Sequence, residues 1–230
     1  MLILAFETSA KAASVALLED GKLLGESYQN TGLTHSQTIM VMAEDLLKQC
    51  GRTVSDLTAL GVANGPGSFT GIRIGVSAAK GLAFAADKPA VGVSTLAAMA
   101  RNVAWMDGLV VCAMDARRQQ VYNALFPAEN GRLTRLTPDR AISLEDLAAE
   151  IKADARPKII VGDGARLCYN DLSERGISCR MAPAHLVMQN AVSVALEAEE
   201  LAGAGQLLTA QELQPVYLRP AQAQRLRDRV

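Results

Sequence analysis

Two apolar runs, Leu2 to Phe6 and Leu109 to Met114, each end in an acidic residue at a polar turn: Glu7-Thr8-Ser9 after the first, Asp115-Ala116-Arg117 after the second. The same order of elements follows each run, and that order leaves few folds open. After the first run, Ser14 to Glu19 and Lys22 to Tyr28 flank Asp20-Gly21, a dipeptide that favours a tight hairpin because it accepts positive φ. Thr34 to Gln37 has capping-box spacing, and Ile39, Ala43, Leu46, Leu47 and Cys50 follow at helical intervals. Ala59 to Ala63 reads as a strand, Gly71 to Ala86 as a helix stopped by Asp87-Lys88-Pro89, Ala90 to Val93 as a strand, and Thr95 to Ala104 as a helix. After the second run come Gln120 to Phe126 and Arg132 to Leu136 around Asn130-Gly131, then a helix capped at Ser143 and running to Ala153. Lys158 to Val161 ends in Gly162-Asp163-Gly164, Ala165 to Glu174 is helical, Ile177 to Met181 is a strand, and Gln189 to Ala202 is the last helix.

Both halves therefore read βββαβαβα. They share little residue identity, so the repeat is one of structure. Two such α/β halves place a cleft between them, with the first-strand turns facing each other. The halves are expected at 1–105 and 106–210, followed by a tail at 211–230. The helix at 189–202 could pack on either half.

Half of the 230 residues are hydrophobic, enough for a sizeable core. Aromatic residues make up only 4% and the net charge is −1, which argues against a stacking platform or basic stripe that would hold nucleic acid unaided. Cys50, Cys112, Cys168 and Cys179 form no CxxC pair and read as reduced thiols of a cytoplasmic protein. The apolar start is too short for a signal peptide or a membrane span. His35 and His185 lie 150 residues apart, without a second ligand one helical turn away, so no metal site is expected.

Asn64-Gly65-Pro66-Gly67-Ser68-Phe69-Thr70-Gly71-Ile72-Arg73-Ile74-Gly75 links a strand to a helix through a glycine turn. It lacks the lysine of a P-loop, and Thr70 stands where GxGxxG needs its third glycine. It reads as the turn that launches and positions a docking helix, with glycines serving close packing. Along that helix Gly71, Gly75, Ala78, Ala79, Leu82 and Ala86 form a smooth stripe. The stripe faces either a partner or the protein's own sheet, in which case Val76, Lys80 and Ala83 are left for contact. The first helix adds Met40, Val41, Met42 and Leu47, more apolar residues than one core face requires. The candidate interface is thus Ile39, Met40, Met42, Leu47, Gly71, Gly75, Val76, Ala79, Lys80 and Ala83.

Phe6-Glu7-Thr8-Ser9-Ala10, the stretch Gly65 to Gly75, Asp115-Ala116-Arg117 with Val121-Tyr122, and Pro215-Val216-Tyr217-Leu218-Arg219 together resemble the TsaB (YeaZ) family. That family lies within the actin, sugar-kinase and acetate-kinase superfamily, which implies a duplicated ribonuclease H-like (actin-like ATPase, ASKHA) fold. The resemblance implies a bacterial cytoplasmic subunit needed to place threonylcarbamoyl on adenosine 37 of tRNAs reading ANN codons. In the family the chemistry belongs to a paralogous partner, TsaD, with the ATPase TsaE joining the pair. The subunit itself is then non-catalytic, needs no cofactor, meets tRNA only through the complex, has no membrane partner and forms a homodimer in isolation. On this view the helices at 35–50 and 71–86 pair with the same helices of TsaD or of a second copy.

The alternative is an autonomous ATP-binding small-molecule kinase or ATPase of the same fold. Its vestigial nucleotide cleft would use Glu7, Thr8, Ser9, Asp115, Gly162 and Gly164, with weak ATP or ADP binding. Arg117 and Arg118 oppose it, standing where glycine and threonine would admit phosphate, and Glu7 replaces the usual Asp. A metallopeptidase would need HExxH or a paired-histidine site, which the chain lacks. Pro215 and Pro220 bracket an extended segment, and Arg225, Arg227 and Arg229 in 222–230 are expected to be a solvated end or to lean toward tRNA.

Overall fold

Leu2–Glu7 has no exposed face: Leu2, Leu4 and Phe6 enter one core while Ile3 and Ala5 enter another. A strand buried on both sides must be central, with helices on each face, and its continuous apolar run follows from that. The structure, a computed structural model, describes residues 1–219; the arginines at 225, 227 and 229 lie outside the described residues. Its first half runs β1 (Leu2–Glu7), β2 (Ala13–Glu19), β3 (Lys22–Gln29), α1 (His35–Gln49), β4 (Ala59–Gly65), α2 (Phe69–Ala86), β5 (Ala90–Ser94) and α3 (Thr95–Arg101). The second runs β6 (Gly108–Asp115), β7 (Gln120–Glu129), β8 (Arg132–Leu133), β9 (Arg140–Ser143), α4 (Leu144–Ile151), β10 (Lys158–Val161), α5 (Ala165–Glu174), β11 (Cys179–Met181) and α6 (Ala191–Gly203).

The first sheet has the order β3-β2-β1-β4-β5, antiparallel through β1–β2–β3 and parallel through β1–β4–β5. The second has β11-β10-β6-β7-β8, the same order by position, with β9 also paired to β7. α1 and α2 cover the outer face of the first sheet, and α4 and α5 that of the second. Between the sheets α3 and α6 pack on each other and are exchanged: α3 contributes Leu96, Met99 and Ala100 to the second sheet's core, while α6 lies on β1, β2, β4 and β5. The open choice for the last helix is thus resolved in favour of the first half. Ala191 N donates to Ser14 Oγ at 2.9 Å, and a Cβ on Gly61 would meet Ala198 Cβ at 2.9 Å.

Two local readings are corrected. The expected strand 132–136 shortens to Arg132–Leu133, β8, and a strand that was not expected, β9, pairs with the other end of β7. Between them Thr137 Oγ1 accepts from Leu125 N at 3.0 Å, a side chain taking the place of a ladder carbonyl. Thr34 does precede α1, but its side chain makes no capping bond. A capping box forms instead at Thr53 and Asp56, on a single 3-10 turn, Val54–Asp56. No helix among the described residues is long and apolar enough to cross a membrane.

Candidate protein-docking site

The nucleotide residues were expected in the cleft between the halves. β1 ends at Glu7, whose Oε1 accepts from Ser9 N at 2.5 Å. Thr8 Oγ1 donates to Gly71 O at 2.7 Å, and Ser68 N donates to Ser9 O at 2.7 Å. The Gly65–Ser68 turn therefore lies directly on the β1 turn, close enough that a Cβ on Gly67 would stand 2.5 Å from Ser9 O. Glu7, Thr8 and Ser9 are at most 1% exposed, so they face protein and not an open cleft. Burial pushes Glu7 up from its ordinary 4.5 to about 7, against the lowering effect of its bonds to Ser9.

The second half contributes groups that are also engaged. Gly162 N donates to Val187 O at 2.6 Å and Gly164 N to Ala113 O at 2.9 Å, so neither amide is free to cradle a phosphate. Asp115 Oδ1 accepts from Arg117 N at 2.7 Å. Asp163 accepts from Gln189 Nε2 at 2.9 Å, and burial raises its pKa. Arg117, Arg118 and Gln119 all carry φ between 55° and 65°, so three non-glycine residues in the left-handed region fill the hairpin that a phosphate would need. The structure thus brings Glu7, Thr8 and Ser9 together with the glycine loop, and Asp115 with Gly164, but the six do not line an accessible nucleotide site. His35 is likewise engaged, its Nε2 lying 2.8 Å from Ala10 O.

An accessible concavity lies elsewhere, between α1 and α2. It is an open groove of about 630 Å³ lined by Ile39 and Met40 from α1 and by Phe69, Ile74, Ala78 and Leu82 from α2. Met40 and Phe69, 43% and 36% exposed, line it together with the half-buried Ile74, Ala78 and Leu82, while Val41 and Phe84 are exposed elsewhere on the same helices. Isolated apolar residues are ordinary on a surface; a grouping along one groove is a binding feature.

The candidate interface residues divide sharply. Met40 is exposed and Ile39 reaches the groove floor. Met42, Leu47, Gly71, Gly75, Val76, Ala79 and Ala83 are corrected, since all are buried against the first sheet. The stripe divides: Gly71, Gly75 and Ala79 are buried, Gly71 and Gly75 so close to Thr8 that a Cβ on either would overlap it, whereas Ala78 and Leu82 line the groove. Lys80 is not free either, as its Nζ donates to Gln211 O at 3.2 Å and Leu213 O at 3.3 Å. Phe69, Arg73, Ile74 and Ser77 were missed, and Ala78 and Leu82 fall in the expected glycine stripe; the groove is legible in one respect. Ile74, Ala78 and Leu82 form a second apolar stripe beside Ile72, Val76, Ala79 and Ala83, and a helix with two stripes has two faces to cover.

The C-terminal segment completes this face. Val216 N donates to Asn64 O at 2.7 Å, Tyr217 stacks on Phe69 with ring centroids 4.9 Å apart, and Arg219 reaches Ala116 O at 3.0 Å and the Gln120 side chain. Pro215 to Arg219 therefore runs from the glycine loop to the second half's hairpin.

A duplicated pair of sheets in this order, with exchanged α3 and α6, is the actin-like fold that sugar kinases share, here with a buried first-strand turn and an apolar helix-pair groove. A ROK hexokinase from Thermus thermophilus shares the fold, with TM-score 0.50 and 12% identity over 89% of this chain and 100% of that chain. The family model for TsaD, tRNA N6-adenosine threonylcarbamoyltransferase, matches residues 29–202. YeaZ from Pseudomonas aeruginosa superposes with TM-score 0.81 and 29% identity, covering 94% of this chain and 99% of that chain. The tRNA threonylcarbamoyladenosine biosynthesis protein TsaB of Escherichia coli is 32% identical over 222 residues, 95% of each chain. The chain belongs to the TsaB family.

Proposed function

We propose that this chain is the non-catalytic subunit required for threonylcarbamoylation of adenosine 37 in tRNAs reading ANN codons. It acts in the cytoplasm by docking its α1/α2 face on the catalytic subunit TsaD, with TsaE joining the pair. In the absence of TsaD the same face pairs two copies of this chain. It needs no nucleotide of its own, and it meets tRNA only through the complex. The observation that carries this reading is the exposed apolar groove between α1 and α2, found where the first-strand turn and its glycine loop are packed shut. Its match to the TsaD model across 29–202 supports a partner of the same architecture, able to offer an equivalent helix pair.

Reconstitution tests it. Transfer of threonylcarbamoyl to tRNA by TsaD and TsaE is expected to require this chain, and this chain alone is expected to transfer none. Met40→Lys with Ser77→Lys, both at exposed positions in the groove, should abolish co-purification with TsaD while cooperative unfolding is kept. Full transfer without this chain, or unchanged co-purification of the double variant, refutes the reading.

A further inference from the structure

Arg73 stands where α2 meets the C-terminal segment, and among the described residues it is the one charged residue lining the groove. Its Nε donates to the Tyr217 hydroxyl at 2.7 Å. Its guanidinium carbon lies 3.8 Å above the Phe69 ring centroid and 5.7 Å from that of Tyr217. The cation is thus held by two aromatic rings through Nε and its flat face, while its terminal nitrogens have no acceptor among the described residues. None of the ion pairs among those residues involves Arg73.

Arg219, on the same segment, is the instructive contrast. It also lies over a ring, Tyr122, but its two terminal nitrogens bond to Ala116 O and Gln120 Oε1, so its donors are used within the chain. Arg219 fastens the segment to the second half. Arg73 is fastened by it and keeps its outer edge for something else.

Resting on the docking reading above, we propose that Arg73 is the ion-pairing anchor of the α1/α2 face. Its terminal nitrogens receive a carboxylate from the partner subunit, and Phe69 and Tyr217 hold it ready for that contact. A guanidinium offers two parallel N–H donors that match the two oxygens of a carboxylate, which an ammonium cannot do. Holding the side chain beforehand removes much of the entropy that ordering an arginine would otherwise cost on binding. The walls around it, Ile74, Ala78 and Met40, are apolar, so docking takes the pair out of water and makes its completion matter.

The same geometry selects between partners. A second copy of this chain presents an identical lining, with its own Arg73 and, among the described residues, no carboxylate in it. Pairing of one groove lining on another therefore supplies neither guanidinium with a carboxylate from the described lining, whereas a partner bearing a carboxylate at that place satisfies one. Specificity here comes from an unmet charge in the wrong complex as much as from a met one in the right complex.

The test measures two affinities with the full-length chain: binding to purified TsaD by titration calorimetry, and self-association by sedimentation. Arg73→Met keeps the apolar stem and removes the charge. It is expected to weaken TsaD binding about 10- to 100-fold and to flatten its salt dependence, while self-association is unchanged or tighter. Arg73→Lys should recover the salt dependence but only part of the affinity, and Tyr217→Phe, which removes the bond to Nε, should weaken TsaD binding several-fold. The proposal is overturned if Arg73→Met binds TsaD like the parent, or weakens self-association by the same factor. Should Arg73→Met fail to unfold cooperatively, Arg73→Lys decides: affinity equal to the parent's rules out the fork. A Met40→Lys/Ser77→Lys double variant that still binds TsaD would instead remove the docking reading itself.

Discussion

Replacing Gly71 by alanine is expected to destabilise the fold, and replacing Gly81 by alanine, nearly three turns along the same helix, to stabilise it. At 71 the new Cβ would overlap the carbonyl oxygen of Thr8 and approach Ser68 Cβ to 3.3 Å. Neither neighbour can rotate away: Thr8 closes the central strand, and Ser68 caps α2 by accepting from Gly71 N. Relief requires shifting the start of α2 off the β1 turn, an overpacking cost of about 1–3 kcal/mol. The shift also strains the 2.7 Å bond from Thr8 Oγ1 to Gly71 O, for about 1 kcal/mol more. Alanine's better helix propensity returns about 1 kcal/mol. The net loss is about 1–3 kcal/mol, a fall in Tm of about 2–4 °C for each kcal/mol in a chain of this size. At Gly81 a Cβ meets nothing within 4 Å, so only the propensity gain remains, about 0.5–1 kcal/mol. Gly75→Ala lies between, because it meets the Thr8 hydroxyl and adding Thr8→Ala should recover part of its loss. Urea unfolding of each variant, with unchanged m-values, gives the comparison. If Gly71→Ala and Gly81→Ala move stability equally, the glycines do not serve close packing and the argument is wrong.

Glu7 makes stability depend on pH. Its folded pKa is raised from 4.5 to about 7 by burial, so the folded chain holds a proton that the unfolded chain has released between those values. The stabilising contribution is therefore complete below pH 4.5 and is lost as pH rises through about 7. Glu7→Gln, isosteric and neutral, should be more stable than the parent by about 1–3 kcal/mol at pH 8, equal to it near pH 4, and should lose that slope in denaturant titrations. An unchanged slope would show that another group carries it. Arg118→Gly should raise stability by about 0.5–1 kcal/mol, since φ of 56° strains an arginine and suits glycine. Thermal unfolding checks this, and a lower Tm would mean that the arginine side chain supplies more than its backbone costs.

The element order was legible because its signals are local. Asp20-Gly21 and Asn130-Gly131 adopt the positive φ values their turns demand, and Ser143 caps α4 by accepting from Asp146 N. The doubly buried β1 and β6 read correctly as apolar runs, since a central strand needs no polar face. β9 was invisible: four residues, Arg140–Ser143, are too few to show a period and are held by pairing with distant Gln120 to Asn123.

The twofold order, the glycine turn before α2 and the choice of α1 and α2 as the face with apolar residues to spare were all determined by the sequence, through turn chemistry and periodicity. Which side of α2 is spare was decided only by tertiary structure. The helix carries two apolar stripes of similar hydrophobicity, and periodicity cannot rank them. The bond from Thr8 Oγ1 to Gly71 O, between residues 63 apart in sequence, turns the glycine stripe inward. That contact leaves Ile74, Ala78 and Leu82 half-buried at the groove, with Arg73 held beside them by a tyrosine 144 residues further along the chain.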